Sequence, residues 1–510
     1  MKGTWRILRL IWRTSLVSIL GAVVTLTTLL TATALSVNRL YPDDRTRKSY
    51  EVIVNSSPAT VIFQGRGYDI GTGGGILAQQ MAILTLTLFP MVMVWTGVRF
   101  TRGMEDKNYF DVITSGTVGR VAPVAAGLLA SLSVAVTTAL ACFIALAVLD
   151  YDKVGSARYA ILLACAMMAA AAAGTTSSQI FRHSREALLT GFAIVLAFFL
   201  LRAWIDLKNY SQVWSNPASW LAEARPFSSS PVWWPLLSYL ALLLVLTGVT
   251  LFLATRRDLG GGIIAPLEGP AAASPLLSNP VALLVRLTYR TALAVAVGGG
   301  VVAFVFGLFA KQMSGQGQLD ARLVLIIQLD VLFASAAGVL AASTMAEEER
   351  SGRVGRVLAE PVGRTSWSLT GLGVSLAWSL AVLLVCAALT GAGLSLSYRD
   401  WSRLAQSLSD AGAYVAPVVF LTCLAMLLGA LRPRLVLSTW LLVAWAAIVT
   451  LRADMLRLGS AARHFSPLEW MGHVPLAAWD TRAAAVMAVL SLLMAAAALL
   501  IFRRRSLVAG

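Results

Sequence analysis

Charge is scarce in this 510-residue chain: 13% of residues are Asp, Glu, Lys or Arg, while 58% are hydrophobic. A water-soluble core cannot hide that much apolar surface, so lipid must serve as solvent. Cysteine is nearly absent. Cys142, Cys165, Cys386 and Cys423 fall inside apolar runs without paired spacing, and they read as packing residues rather than disulfides or metal ligands. His183, His464 and His473 are scattered, with no i,i+3 or i,i+4 partners, so no metal site is expected. The same lack of clustered His, Cys and carboxylates argues against a membrane-embedded enzyme. No Gly-x-x-x-x-Gly-Lys-Ser/Thr phosphate loop occurs, and no soluble stretch is long enough for an ATPase domain. Long basic runs away from the membrane are missing too. The net charge of +16 is therefore read as a topology bias plus anionic headgroups, with no nucleic acid partner.

What the chain does have is long apolar runs, and it has them twice. Twelve spans are expected near 14–37, 76–98, 121–148, 159–180, 187–204, 235–254, 291–310, 322–343, 367–395, 411–431, 435–451 and 483–502. Arg9-Leu10-Ile11-Trp12-Arg13-Thr14, before the first span, returns as Arg286-Leu287-Thr288-Tyr289-Arg290-Thr291 before the seventh. Val118-Gly119-Arg120 returns as Val362-Gly363-Arg364, a register that sets Glu105 opposite Glu349. Asn216-Pro217 with Trp220 returns as Ser466-Pro467 with Trp470, and Arg256-Arg257-Asp258-Leu259 as Arg504-Arg505-Ser506-Leu507. The expectation is an all-α polytopic membrane protein of two pseudo-symmetric parallel six-helix repeats, a transporter's organisation. The repeats are 1–254 and 281–510, joined by a Gly/Pro-rich cytoplasmic linker, 255–280. Basic residues favour the inner loops if both termini are cytoplasmic. Thr4 to Arg13 and Val281 to Arg290 suit amphipathic helices lying in the inner interface.

The loops carry the candidate sites. Glu347-Glu348-Glu349-Arg350-Ser351-Gly352-Arg353, with Arg356 and then Pro361 to Arg364, suits a short helix begun by its acidic cluster, where carboxylates favour the N-terminal dipole. Such a charged helix could dock in a cleft of a soluble partner; the bland alternative is a solvated, positive-inside connection. The first copy keeps Glu105, Asp106 and Arg120 but loses the triple acid. It also has about 33 more residues, placed in the outer loop 39–75, which suit either a lid or partner site or an elaboration without substrate contact. Within the spans, Asp330 with Gln328 is the leading ionisable candidate, either facing a pathway or pairing with Arg322. The fifth and eleventh spans look short, and the Pro and Trp elements after them suggest re-entrant outer segments built on Pro217, Trp220, Pro467 and Trp470.

Together, the Glu-Glu-Glu-Arg-x-Gly-Arg…Pro-Val-Gly-Arg string, the Ser/Asn-Pro-x-x-Trp elements, Arg225-Pro226-Phe227 with Trp233-Trp234-Pro235-Leu236, and the Arg-Arg-Asp-Leu-Gly after the sixth span resemble bacterial type-2 ABC-exporter permeases. The nearest group is the twelve-span tetronasin, polyketide-antibiotic and multidrug exporters. That resemblance implies that Glu347 to Arg364 is a coupling helix meeting a nucleotide-binding subunit. It also implies a cavity lined by the second, eighth and eleventh spans, with Phe89, Trp95, Phe333, Trp440 and Trp445 suited to a hydrophobic small-molecule substrate. Two copies of a soluble ABC ATPase would bind ATP and Mg, while this chain holds no cofactor. A plasma-membrane exporter conferring antibiotic resistance is the expectation. A proton-driven secondary transporter of major-facilitator type, whose acidic-Arg-x-Gly-Arg loop Glu349 to Arg353 superficially mimics, is the alternative.

Overall fold

The computed structural model describes residues 3–506 apart from 57, 108, 110–118, 209–210, 259, 265–278, 314–318 and 453–458. Most of the linker expected at 255–280, together with Val118, Leu259 and Leu507 of the repeated motifs, lies outside them. Among the described residues there is no strand, and eleven helices are long and apolar enough to cross a membrane, or twelve if one bent pair counts as a span. The chain divides into two compact units, Met1–Gly269 and Pro270–Gly510.

In the first unit, span 1 is Thr4–Leu40, span 2 Gly73–Arg99, span 3 Ala122–Val148, span 4 Lys153–Ile180, span 5 Ser184–Lys208 and span 6 Trp234–Arg256. Their starts are written locally. Thr72 accepts from the Gly75 N–H at 3.0 Å, Asp152 accepts from the Gly155 N–H at 2.6 Å, and Pro123 and Pro235 occupy first-turn positions where no N–H is needed. Span 2 contains a π segment, Leu84–Leu88, that ends one residue before Pro90, whose missing N–H removes a rung of the ladder. Small residues let spans 2 and 4 touch: a Cβ on Gly97 would stand 2.4 Å from the Ala171 carbonyl oxygen, and one on Gly174 2.6 Å from that of Val94. Gly174→Val is expected to force these backbones apart and lower stability by about 1–3 kcal/mol or more, read as a fall in the thermal midpoint of the purified protein.

In the second unit, span 7 is Pro280–Met313, span 8 Leu319–Arg350 and span 9 Arg364–Tyr398. Span 10 is the pair Ser402–Gly412 and Val415–Leu431, bent by 44°; span 11 is a 3-10 turn, Pro433–Ser438, leading into Thr439–Arg452; span 12 is Thr481–Arg504, capped by Asp480.

Three expectations are modified. Span 1 is one unbroken helix of 37 residues, about 55 Å long against roughly 30 Å of hydrocarbon, so the change of direction expected near Arg13 is not a break. Its first turns instead bury Ile7, Leu8 and Ile11, and Trp12 donates to Ser133 of span 3 at 3.2 Å. Span 7 likewise runs through Arg290 without interruption. Span 5 has 25 residues and is not short, while the described residues of span 11 form a helix of 14, Thr439–Arg452. The outer loop folds into two helices, Asp44–Ser56 and Pro58–Gln64, around Val37, Val54, Ile70 and Ile76. It is held against span 5 by Arg202, which donates to the Ile62 carbonyl, and by Asp206, 3.6 Å from Arg66. Gly65 sits beside this contact with φ +83°, where a Cβ would come 2.6 Å from the Arg202 guanidinium.

Candidate functional site

In both units a buried Glu–Arg pair ties the end of the sixth helix to the second, at the turn just after span 2 in the first unit and in the last turn of span 8 in the second. Glu105, 4% exposed at its side chain, accepts from Arg257 through both oxygens, Nη2 to Oε1 at 2.5 Å and Nη1 to Oε2 at 2.9 Å. Arg102 adds a third bond at 2.5 Å to Oε2. The remaining donors are also satisfied: Arg102 reaches the carbonyls of Ser178 and Gly261, and Arg257 reaches Gln179 Oε1 at 2.7 Å. Burial pulls the Arg102 guanidinium below its usual pKa, and Glu105 partly opposes that shift. In the second unit Arg505 Nη2 lies 2.5 Å from Glu349 Oε2, again with Glu349 4% exposed. Arg120 and Arg364, the repeated basic residues that follow the loops, reach the same segments: Arg120 pairs with Asp258 at 3.0 Å, and Arg364 donates to the Arg505 carbonyl at 2.9 Å. Two separate sequence repeats, the Val-Gly-Arg register that carries Glu105 and Glu349 and the Arg-Arg pair after the sixth span, thus meet at one place in each unit.

The acidic cluster does not begin a short helix. Glu347, Glu348 and Glu349 form the last turn of span 8, which continues one turn past its apolar stretch to Arg350 before Gly352, at φ +72°, turns the chain into the short helix Arg353–Val357. Carboxylates oppose the dipole at that end, and cations offset them. Arg350 pairs with Glu347 at 3.0 Å, Arg353 with Glu348 at 2.6 Å, and Arg505 with Glu349. Only Val354 of the short helix is buried, leaving Glu347, Arg350, Arg353 and Arg356 exposed as one charged surface. In the first unit Asp106 is exposed and accepts from the Ser184 N–H at 2.9 Å, holding the start of span 5.

The expected pathway residues separate. Asp330 is buried and accepts from Thr390 of span 9 at 2.8 Å, which places it in the packing between spans 8 and 9. Gln328 is buried beside Tyr414, and Phe333 packs against Gly299 of span 7. Phe89 is core. Trp95, with Arg99 stacked 5.1 Å from its ring, lines an open apolar groove among spans 1, 2 and 5, with Leu88, Met91, Val92 and Phe192. Trp440 packs on the core of the second unit, and Trp445 donates to the Ala462 carbonyl at 3.1 Å.

The outer elements are built alike. Trp220 donates to the carbonyl of Trp214 at 2.8 Å, and Trp470 to that of His464 at 2.6 Å, each six residues back. Pro217 opens the helix Pro217–Glu223, capped by Asn216, and its carbonyl accepts from Tyr239; Pro467 is buried before a 3-10 turn, Glu469–Met471. Trp220→Phe is expected to cost about 1 kcal/mol by orphaning the Trp214 carbonyl, measured as a lower unfolding midpoint. Sequence reasoning missed a further small pocket beside the loop 39–75, lined by Gln79, Tyr159, Arg225 and Phe227 among others. At its rim Tyr68 donates to Glu223 at 2.5 Å, and burial together with that carboxylate pushes the Tyr68 pKa up to about 12.

The family described as "Multidrug efflux system permease Rv1217c, C-terminal domain" matches residues 277–503. The chain is also 28% identical over 496 residues to the multidrug efflux system permease protein Rv1217c of Mycobacterium tuberculosis (strain ATCC 25618 / H37Rv), an alignment covering 93% of this chain and 89% of that protein. The chain is therefore a multi-pass, all-helical membrane protein that resembles multidrug efflux permeases along nearly its whole length.

Proposed function

We propose that this chain is the permease subunit of an ATP-driven ABC exporter in a bacterial cytoplasmic membrane, moving hydrophobic or amphipathic drug-like compounds out of the cell. Both termini and the loops carrying Glu105 and Glu349 face the cytoplasm. Two copies of a separate ATPase bind ATP and Mg and press on these loops. The observation that supports the reading best is the repeated Glu–Arg tie, because a load applied to the loop passes through it to two helices at once, the second and the sixth of each unit. The exposed surface of Glu347, Arg350, Arg353 and Arg356 offers a soluble partner charges to pair with, and the groove beside Trp95 suits an apolar cargo. Purification in mild detergent tests the assignment: a Walker-motif subunit should accompany the chain in a two-to-one ratio and be released at high salt. Repeated isolation of the chain without such a subunit would refute it.

A further inference from the structure

The duplication supplies an internal comparison around the two buried pairs. Glu105 and Glu349 occupy one register, which sets Ala346 opposite Arg102. Counted from the last helical residues of spans 4 and 10, Ile180 and Leu431, Ala430 stands opposite Gln179 and Gly429 opposite Ser178. In the first unit, Arg102 and Gln179 complete the shell around Glu105 and Arg257. In the second, alanine replaces both. Glu349 Oε1 and Arg505 Nε are buried there without a hydrogen-bond partner among the described residues. A small pocket opens beside Glu349, lined by Ala346, Glu349, Gly429 and Ala430, with Met345 and Trp367 among its apolar walls.

We propose that this cavity is a binding site for one guanidinium-type cation, seated on Glu349 as the Arg102 side chain is seated on Glu105. The first-unit cluster shows that the surroundings accept the charge: Glu105 with Arg102 and Arg257 carries a net positive charge, met by the carbonyls of Ser178 and Gly261. In the second unit Glu349 with Arg505 is neutral, and the Gly429 carbonyl lies at the position of Ser178, 3.5 Å from Arg505. Arg102 makes four bonds with its planar fork, Nε and Nη2 together on the Ser178 carbonyl, Nη2 also on that of Gly261 and Nη1 on Glu105, a pattern that a flat guanidinium with five donors meets and a compact ammonium with three does not. A free guanidinium compound and an arginine side chain of a soluble partner share this chemistry. The inference rests on the repeat, not on the exporter reading, and either can fail without the other.

The test is thermal unfolding of the full chain in lipid nanodiscs, titrated with methylguanidinium chloride at constant ionic strength and compared with methylammonium. A saturable rise of the midpoint by a few degrees is expected for methylguanidinium alone. It should be lost in Glu349→Gln. Ala346→Arg, which supplies the group from the chain itself, should unfold at the raised temperature and no longer respond. Ala346→Leu, which fills the cavity without charge, should also lose the response. No saturable rise, or an equal rise in the Ala346 variants, would overturn the site and leave the cavity to water. Repeating the titration with an ATPase subunit bound separates the sources: a response that disappears assigns the site to that partner's arginine, and one that persists assigns it to a free cation.

Discussion

Arg505→Ala is expected to cost about 3–5 kcal/mol of stability, because it leaves Glu349 as a buried charge without its cation. Arg257→Ala should cost less. Glu105 accepts from Arg257 through both oxygens, yet Arg102 remains 2.5 Å away when Arg257 is removed. The sizes of the pairs thus invert the usual intuition, since the carboxylate with fewer bonds is the one that cannot lose any. The thermal midpoint of each purified variant measures this. The double change Glu349→Leu with Arg505→Leu should recover most of the loss, because an apolar replacement removes both desolvation penalties together. Equal losses for Arg257→Ala and Arg505→Ala would mean that Arg102 does not support Glu105.

Reversing the charge of the exposed second-unit surface, Glu347→Lys with Arg350→Glu and Arg356→Glu, is expected to lower drug-stimulated ATP turnover at least tenfold, about 1.4 kcal/mol of coupling, with the unfolding midpoint nearly unchanged. The midpoint should hold because Glu347 and Arg350 are solvent-exposed, and such pairs contribute about 0–1 kcal/mol. In the first unit, Asp106→Asn should reduce turnover by no more than about twofold, as its carboxylate also serves the start of span 5. Comparable losses from the two loops, measured with a partner ATPase in the same nanodiscs, would contradict the unequal contributions assigned to them.

The helical architecture was legible because hydropathy and duplication speak to the same positions. Each long apolar run became a span, and the two Pro and Trp elements became two outer turns with the same indole-to-carbonyl bond. The contacts were not legible. Glu105 and Arg257 each stood in a visible repeat, as did Glu349 and Arg505, but a residue's charge does not tell which repeat it meets across about 150 positions of chain. Assigning the Glu347 to Glu349 cluster to a helix start followed from dipole preference alone. It failed because span 8 continues one turn past its apolar stretch, with arginines offsetting the dipole. Asp330 read as either facing a pathway or pairing with Arg322, because charges in spans are costly; the hydroxyl that bonds it, Thr390, lies 60 residues away and carries no charge to announce itself. The break expected near Arg13 was drawn from amphipathic patterning, which marks a surface but does not bend a helix.

Vanadate-sensitive ATP hydrolysis by the gently purified complex, followed alongside efflux of a hydrophobic dye, tests the central claim most directly. The account predicts a stoichiometric ATPase subunit, turnover that rises with the dye, and efflux that stops when ATP is depleted. Efflux that survives ATP depletion but collapses with the proton gradient would contradict it, and would move attention from the loops at Glu105 and Glu349 to Asp330.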